Sequence, residues 1–208
     1  MAVLDHLVYA APDLTVAVEQ VAERVGIRPV EGGPHVGLGT RNFLLGLGGR
    51  SYLEIVGPDP DQPEPAGPRL FGVDDLAAPA LVGWAVATDD IDMAVARARE
   101  AGVDLDDAYG MSRRRPDGTL LSWRLTPPLP GVRPFLIDWG DTAHPADALP
   151  VVPLRSFEIT HPHPDALRAE LAALGVTPEV QKGERAGLTG RLDGLTLEPP
   201  AHFGPQNM

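Results

Sequence analysis

The stretch DHLVYAAPD at residues 5–13 sets the pattern from which the fold can be predicted. It is a short, largely apolar run typical of a strand, and the Pro-Asp pair that ends it is typical of a helix start. Apolar residues then recur at helical spacing as far as Gly26. Beyond a glycine- and proline-rich stretch, TRNFLL at residues 40–45 and SYLEIV at 51–56 follow. We therefore predict one strand, one helix and then two or three strands.

The same order of segments begins twice more. LVGWAVAT at residues 81–88 leads into Asp89-Asp90 and a second helical pattern, and LRSFEITH at residues 154–161 leads into a third. The period is roughly 75 residues, which is too long for a solenoid repeat. The order predicts an α+β protein built from repeated β-α-β-β-β units.

Two proline-rich connectors separate these units. The predicted organisation is a first module at residues 1–57, a connector at 58–79, a second module at 80–140, a connector at 141–153, a third and partial β-α-β-β unit at 154–198, and an irregular tail at 199–208. Residues 58–68 of the first connector are rich in proline and are expected to be exposed.

Aligning the units at their helix starts places His6, Gly83 and Glu158 at one position of the first strand. Because side chains alternate along a strand, bulky residues such as Leu7 and Trp84 then share the opposite face, which we expect to pack under the helix. The face with His6 carries smaller and more polar residues. Such a face is expected where a sheet curves around a ligand instead of a core.

Composition excludes several classes of function. The chain has 17 lysines and arginines against 29 aspartates and glutamates, a net charge of −12, so we expect no nucleic-acid partner. It has no cysteine, which removes disulfides, thiolate metal sites and cysteine nucleophiles. No stretch approaches the ~20 apolar residues of a membrane span. We expect a cytoplasmic protein without a membrane partner.

Several motifs resemble those of the glyoxalase-like branch of the vicinal oxygen chelate superfamily, which includes glyoxalases, bleomycin resistance proteins and extradiol dioxygenases. They are DHLVYA at residues 5–10 before a Pro-Asp helix start, TRN at 40–42, YLEIVG at 52–57 and the closing FLIDWG at 135–140. The resemblance covers residue 2 to at least residue 140. It implies a curved mixed sheet, or cup, formed by two modules with the helices outside, and a ligand site that often holds one divalent metal.

The resemblance also implies which residues act. His6 and Glu54 match two metal-ligand positions of the first module and are the candidate catalytic pair. An imidazole and a carboxylate suit Zn²⁺, Ni²⁺, Mn²⁺ or Fe²⁺, and neighbouring substrate oxygens could complete the shell. The second module departs from this pattern, because Gly83 and Ile137 stand at the matching positions and Asp138 falls on the other face. The usual four-ligand site is therefore absent from the first two modules.

Glu158 and His35 are the candidate replacement ligands. Glu158 matches His6 in the third unit, although a glutamate on a strand is more often solvated. His35 lies in a flexible glycine-rich stretch that could fold over the mouth of the cup, although a loop histidine is usually exposed. His6 could itself be a hydrogen-bonded core histidine. Glu54 interrupts an apolar strand, so its carboxylate needs a metal, an arginine or hydrogen bonds as a partner.

Arg41 and Asn42, with His35, are the candidate substrate-binding residues. A guanidinium can hold a carboxylate in a bidentate pair, although Arg41 could equally pair with Glu54 or a surface acid. The Arg113-Arg114-Arg115 run is expected to be mostly a solvated strand end, with one member able to reach a ligand anion. The three tryptophans are expected in the core.

Three hypotheses follow. The first is a metal-dependent enzyme of lyase, isomerase or dioxygenase type that acts on a small oxygen-rich metabolite. The second is a metal-free protein of the same fold that binds or sequesters a small molecule, without any cofactor. The third, a purely structural interaction protein, leaves a polar histidine and glutamate without a task. The third unit could cover the cup within one chain or help to form a homodimer.

Overall fold

A computed structural model describes residues 3–128, 131–201 and 203. Within these residues the first module consists of β1 (Val3–Ala10), α1 (Leu14–Val25), β2 (Val30–His35), β3 (Thr40–Gly48) and β4 (Ser51–Pro58). The second consists of β5 (Ala80–Ala87), α2 (Ile91–Glu100), β6 (Tyr109–Arg114), β7 (Leu120–Leu125) and β8 (Phe135–Asp138). The third consists of β9 (Leu154–His161), α3 (Pro164–Ala173), β10 (Val180–Lys182), β11 (Gly187–Leu192) and β12 (Leu195–Leu197).

The first two modules share one mixed sheet of eight strands, in the order β2-β3-β4-β1-β5-β8-β7-β6. Strand β1 pairs with β4 in parallel and with β5 antiparallel, so the two modules meet at the centre of the sheet. The outer strands β2 and β6 come together: a Cβ on Gly33 would lie 2.6 Å from the carbonyl oxygen of Arg114. The sheet is therefore a nearly closed cup with its helices outside, and the predicted fold class is confirmed.

The helices begin and end at residues that the sequence marks. The Asp13 carboxylate accepts a hydrogen bond from the backbone of Val16 at 3.0 Å, and Gly26 ends α1 in the left-handed conformation. Asp90 caps α2 in the same way through Met93. The buried stripe of α1, which includes Leu14 and Val18, joins the core beneath it.

Alternation along the strands separates two faces. Leu7, Leu53 and Trp84 are buried on the outer face, where they form the main core with the helices. Complete burial of an aliphatic side chain such as Leu7 contributes about 1.5–3 kcal/mol. The inner face carries a smaller apolar cluster around Val8 and Phe135 and leaves a concave site beside it.

The third unit forms a separate sheet in the order β10-β9-β11-β12. Its helix is followed by three strands, where the sequence predicted two. Phe157 meets Trp84 at a ring-centroid distance of 5.2 Å, and the Leu81 amide donates to the carbonyl of Glu198 at 2.7 Å. These contacts lie on the outer face of the large sheet. The unit therefore covers the back of the cup and not its mouth.

The glycine-rich stretch before Thr40 contains one of the two or three strands predicted after the first helix, whose position was left open by the sequence. Strand β2 includes Gly32, Gly33 and Pro34, and its pairing with β3 shifts register between Glu31 and Gly33. An outermost strand tolerates proline because one of its sides makes no ladder hydrogen bonds. Most of the predicted irregular tail lies outside the described residues. Among the helices that the structure does describe, none is long and apolar enough to cross a membrane.

Candidate functional site

The concave face holds a pocket of about 490 Å³, measured with its open mouth. The polar wall comes from the first module and consists of His6, His35, Asn42, Tyr52 and Glu54. The second module and the first connector supply a mostly apolar wall. The sequence predicted that His6 and Glu54 would share one cluster on this face, and the structure brings them together there.

A β-bulge places Asp5 beside His6. Pairing with β5 shifts register between Leu4 and His6, so Asp5 is an extra residue and turns toward the same side as its neighbour. The Asp5 carboxylate lies 2.6 Å from His6 Nδ1. Nδ1 therefore donates to this carboxylate, and Nε2 is the ring nitrogen that faces Glu54 across the pocket wall.

Asp5 accepts two further hydrogen bonds. Trp139 Nε1 and His144 Nε2 each lie 3.0 Å from Asp5 Oδ2. Burial by itself would raise the pKa of Asp5, but the hydrogen bonds from His144 and His6 and the charges of these imidazoles outweigh it and lower the pKa to about 2. Asp5 is thus a fixed carboxylate that orients His6 from behind.

Glu54 extends into the pocket from β4, and its side chain is nearly buried. Its Oε2 lies 3.6 Å from His6 Nε2, and its Oε1 accepts a hydrogen bond from Asn42 Nδ2 at 2.6 Å. The Asn42 amide is thus one partner of the buried carboxylate, which the sequence predicted to need one. Glu54 Oε2 remains directed at the imidazole.

Asn42 is the centre of a buried network. Besides Glu54, its Nδ2 contacts His35 Nε2 at 3.2 Å, and its Oδ1 accepts from Arg113 Nη1. His35 Nδ1 lies 3.0 Å from Thr40 Oγ1. Burial lowers the pKa of His35, which favours a neutral ring whose Nε2 lone pair accepts from Asn42. That lone pair is therefore not free to bind a metal.

Tyr52 lies beside His6 on the neighbouring strand. Their rings stack at a centroid distance of 4.7 Å. Burial, reinforced by the charges of Asp5 and Glu54, raises the pKa of the Tyr52 phenol well above its ordinary value. The hydroxyl therefore stays protonated and can donate a hydrogen bond to a ligand.

On the opposite wall, the positions that match His6 and Glu54 carry no polar side chains. A Cβ on Gly83 would meet the Phe71 ring at 3.8 Å, so this aromatic side chain from the connector lies over the position that matches His6. Ile137 lines the pocket at the position that matches Glu54. Asp138 faces the other way and accepts from the backbone of Ile91 and Gly140. The predicted departure of the second module from the family pattern is thus visible in the geometry.

His6 Nε2 and Glu54 Oε2 fit one divalent ion. Ligand atoms about 2.1 Å from a common ion are about 3.4 Å apart at a tetrahedral angle, and the observed 3.6 Å corresponds to an angle of about 120°. The described residues contain no group of three or more histidines, aspartates and glutamates arranged to hold a metal. A cation here would have two protein donors, with oxygens of water or substrate as the others.

Two residues predicted for the site lie elsewhere. Glu158 is in the third unit's sheet, where it accepts from Ser156 Oγ at 3.1 Å and lies 3.8 Å from Arg191 Nε. Arg41 does not line the pocket and instead pairs with Glu31, Asp59 and Asp61. Arg41 and Asn42 are consecutive on β3, so only one of the two can face the cup. Asn42 and His35 line it, as predicted.

Other pocket residues had only weak signals in the sequence. Arg113 is the member of the arginine run that reaches inward, while Arg114 is exposed. Trp123 and Trp139 line the pocket and meet at a centroid distance of 5.3 Å, whereas Trp84 alone of the three lies in the main core as expected. Asp5, although part of the motif at residues 5–10, was not predicted as a site residue.

Two β-α-β-β-β modules that share one cup-shaped sheet, with a polar site inside it, define the vicinal oxygen chelate class. Residues 4–175 match the model of a family described as "Glyoxalase-like domain". The chain belongs to this glyoxalase-like family. No curated protein matches its sequence.

Solved structures support the fold alone. A hypothetical protein from Staphylococcus aureus is 12% identical with a TM-score of 0.69, over 95% of this chain and 98% of that one. Methylmalonyl-CoA epimerase from Mycobacterium tuberculosis is 21% identical with a TM-score of 0.45, over 70% of this chain and 91% of that one. A methylmalonyl-CoA epimerase in complex with methylmalonyl-CoA and NH4+ is 23% identical with a TM-score of 0.48, over 68% and 97%.

Proposed function

We propose that this glyoxalase-like protein is an enzyme that acts on a small oxygen-rich metabolite, with His6 and Glu54 as ligands of one weakly held divalent cation. A single observation carries the proposal: the buried Glu54 carboxylate faces His6 Nε2 at 3.6 Å. With a neutral imidazole whose Nδ1 donates to Asp5, both of these atoms are acceptors, and acceptors that face each other away from water need a cation or a proton between them. A divalent ion satisfies both.

The surrounding residues fix this pair. Asp5 holds the His6 ring and its tautomer, and Asn42 holds Glu54 by one oxygen. The protonated Tyr52 can donate to a substrate oxygen. A bound divalent ion would supply Lewis acidity that stabilises negative charge on a substrate oxygen, as lyases and isomerases that form enolates require. Aromatic side chains such as Phe71 form the wall opposite this pair.

Calorimetric titration of chelator-treated protein with Zn²⁺, Mn²⁺, Ni²⁺ and Fe²⁺ tests the proposal. The wild type should bind one ion per chain, and Glu54→Gln and His6→Ala should each weaken binding at least about tenfold with unchanged circular dichroism. Glu158→Gln is the matched control, because that glutamate lies in the other sheet and should leave binding unchanged. Equal binding by all four proteins, or binding by none, would contradict the proposal.

A second candidate is a metal-free protein that binds or sequesters a small molecule. Its support is that Asn42 already satisfies one Glu54 oxygen and His35 Nε2, while Gly83 and Ile137 offer no donor. This candidate predicts that ligand affinity is the same in chelator and in divalent metal. The enzyme predicts a loss of affinity in chelator for any ligand whose oxygens complete the shell of the ion.

A further inference from the structure

Arg113 is a buried guanidinium without a counterion in the described part of the chain. It lines the pocket from β6 and is only 3% exposed. Nη1 donates to Asn42 Oδ1, while Nε is buried without a hydrogen-bond partner. Arg41 and Arg69 differ, because each forms ion pairs with at least two carboxylates. Arg113 thus keeps much of its hydrogen-bonding capacity unused.

An unpaired buried charge needs compensation. Burial lowers the pKa of Arg113, but a guanidinium does not lose its proton in proteins, so the charge remains. The charge of Glu54 reaches it, but Asn42 lies between them and makes the hydrogen bonds to both. An anionic group of a ligand would provide the direct partner that the protein does not.

Gly32 creates the space for this arrangement. A Cβ at that position would lie 1.8 Å from Arg113 Nη1 and 2.1 Å from Asn42 Oδ1. Glycine at position 32 of β2 therefore lets Arg113 reach across from β6 to Asn42. The guanidinium is held in place by backbone packing where the two edges of the cup meet.

The pocket beside Arg113 has aromatic walls. Trp123 and Trp139 form one pair of rings, and Phe71 and Phe135 lie 6.0 Å apart as another. Trp139 is held by its hydrogen bond to Asp5. Aromatic faces favour flat apolar groups that stack on them or meet them at an edge.

We infer that the pocket binds a small carboxylate with a flat, apolar body, the carboxylate on Arg113 and the ring against the Trp123–Trp139 pair. This inference names the substrate class of the site and in that respect rests on the proposed function. An arginine fork holds a carboxylate through paired hydrogen bonds, which gives orientation as well as affinity. The ring then lies on the apolar wall, opposite His6 and Glu54.

Benzoate and benzamide are suitable probes because they have nearly the same shape and differ in charge. In titrations of the whole chain with chelator present, wild type should bind benzoate at least about tenfold more tightly than benzamide, since a charged hydrogen-bonded pair contributes about 1.5–3 kcal/mol. Acetate should also bind at least about tenfold more weakly than benzoate, because it lacks the ring. Equal affinities for benzoate and benzamide would overturn the inference without any variant.

Two arginine variants locate the effect. Arg113→Met should abolish the preference for benzoate, whereas Arg114→Met removes the adjacent exposed arginine and should keep it. Gly32→Ala should weaken benzoate binding although no charge is removed. Equal losses in Arg113→Met and Arg114→Met would contradict the assignment. If Arg113→Met does not fold, the wild-type comparison still decides.

Metal titration separates this inference from the proposed function. Arg113→Met keeps both proposed metal ligands, His6 and Glu54, so it should still bind one divalent ion per chain. If the wild type binds metal but does not prefer benzoate to benzamide, the inference about the carboxylate ligand is wrong and the proposed function stands. If the wild type prefers benzoate but binds no metal, the proposed metal-dependent function is wrong and the inference about the carboxylate ligand stands.

Discussion

The inner faces of the two modules have the same topology and opposite chemistry. In the first module, His6 and Glu54 lie on neighbouring strands, and both side chains point into the cup. In the second, Gly83 and Ile137 take the equivalent positions, and Phe71 lies against the glycine. The repeat supplies two equivalent sets of positions. Only one set carries polar groups, while the other shapes an apolar wall.

Phe71 makes this difference larger. It adopts a left-handed backbone conformation, with φ 63°, which costs a non-glycine residue about 1–2 kcal/mol. Its ring lies near Gly83 and Phe135 inside the pocket. The part of the connector that follows the proline-rich residues 58–68 therefore contributes to the pocket wall through Leu70 and Phe71. Apolar contacts of the ring offset the backbone strain.

The polar inner face of the first module, here called the polar half, depends most strongly on Asp5. Removal of this carboxylate should therefore have the largest effect on stability. Asp5→Ala should lower the free energy of unfolding by about 3 kcal/mol, because His6, Trp139 and His144 would lose a buried partner. Urea denaturation measures it. Asp193→Ala, which removes an exposed partner of Arg155, should change stability by no more than about 0.5 kcal/mol. Similar losses in both variants would contradict the role given to Asp5.

Gly32→Ala should break the contact between the two halves. Its new Cβ would overlap Arg113 and Asn42, so we expect a loss of about 2 kcal/mol in the free energy of unfolding. Gly110→Ala on β6 is the control, since a Cβ there meets nothing within 4 Å and should be nearly neutral. If the overlap is with Arg113, removing that side chain should relieve it. The losses in free energy of unfolding of Gly32→Ala and Arg113→Ala, measured separately, should then add up to more than the loss measured for the double variant.

The pH dependence of the free energy of unfolding should depend on His35 in the large sheet and not on His163 in the third unit. Burial lowers the pKa of His35 below its unfolded value of 6.5, so the unfolded chain takes up a proton first as the pH falls. The free energy of unfolding should therefore decrease from pH 6.5 down to the folded pKa of His35. Denaturation across this range should show a weaker decrease in His35→Gln and an unaltered one in His163→Gln, an exposed control on the third unit.

The smallest expected effect concerns the approach of an anion. With a net charge of −12, the chain repels benzoate at long range even though Arg113 attracts it inside the pocket. Raising the ionic strength from about 0.01 M to about 0.15 M shortens the screening length from about 30 Å to about 8 Å. Stopped-flow tryptophan fluorescence should show a rise of about twofold in the association rate of benzoate and no change for benzamide. A falling benzoate rate would contradict the sign.

The sequence predicted the parts of the site that depend on strand alternation. His6 and Glu54 lie at strand positions whose parity could be counted from the aligned units. Asp5 escaped this reasoning because a bulge reverses its direction, and no residue near it signals a bulge. Arg113 could not be distinguished from Arg114 and Arg115. The direction of its side chain depends on how the two edge strands, β2 and β6, approach each other where the sheet nearly closes.

The third unit illustrates the same limit. Its alignment with the first strand placed Glu158 at the position of His6, and its first strand and its helix were predicted. Which face of the large sheet it covers depends on packing between bulky residues such as Trp84 and Phe157, which are far apart in sequence. Local alternation carries no information on that choice.

The central claim is that His6 and Glu54 form the cation site of the polar half. A crystal of the wild-type protein soaked in Mn²⁺ tests it directly by anomalous scattering. We predict one peak within about 2.3 Å of both His6 Nε2 and Glu54 Oε2 in wild type and its loss in Glu54→Gln. A pocket without a peak, or a peak that persists in Glu54→Gln, would contradict the claim.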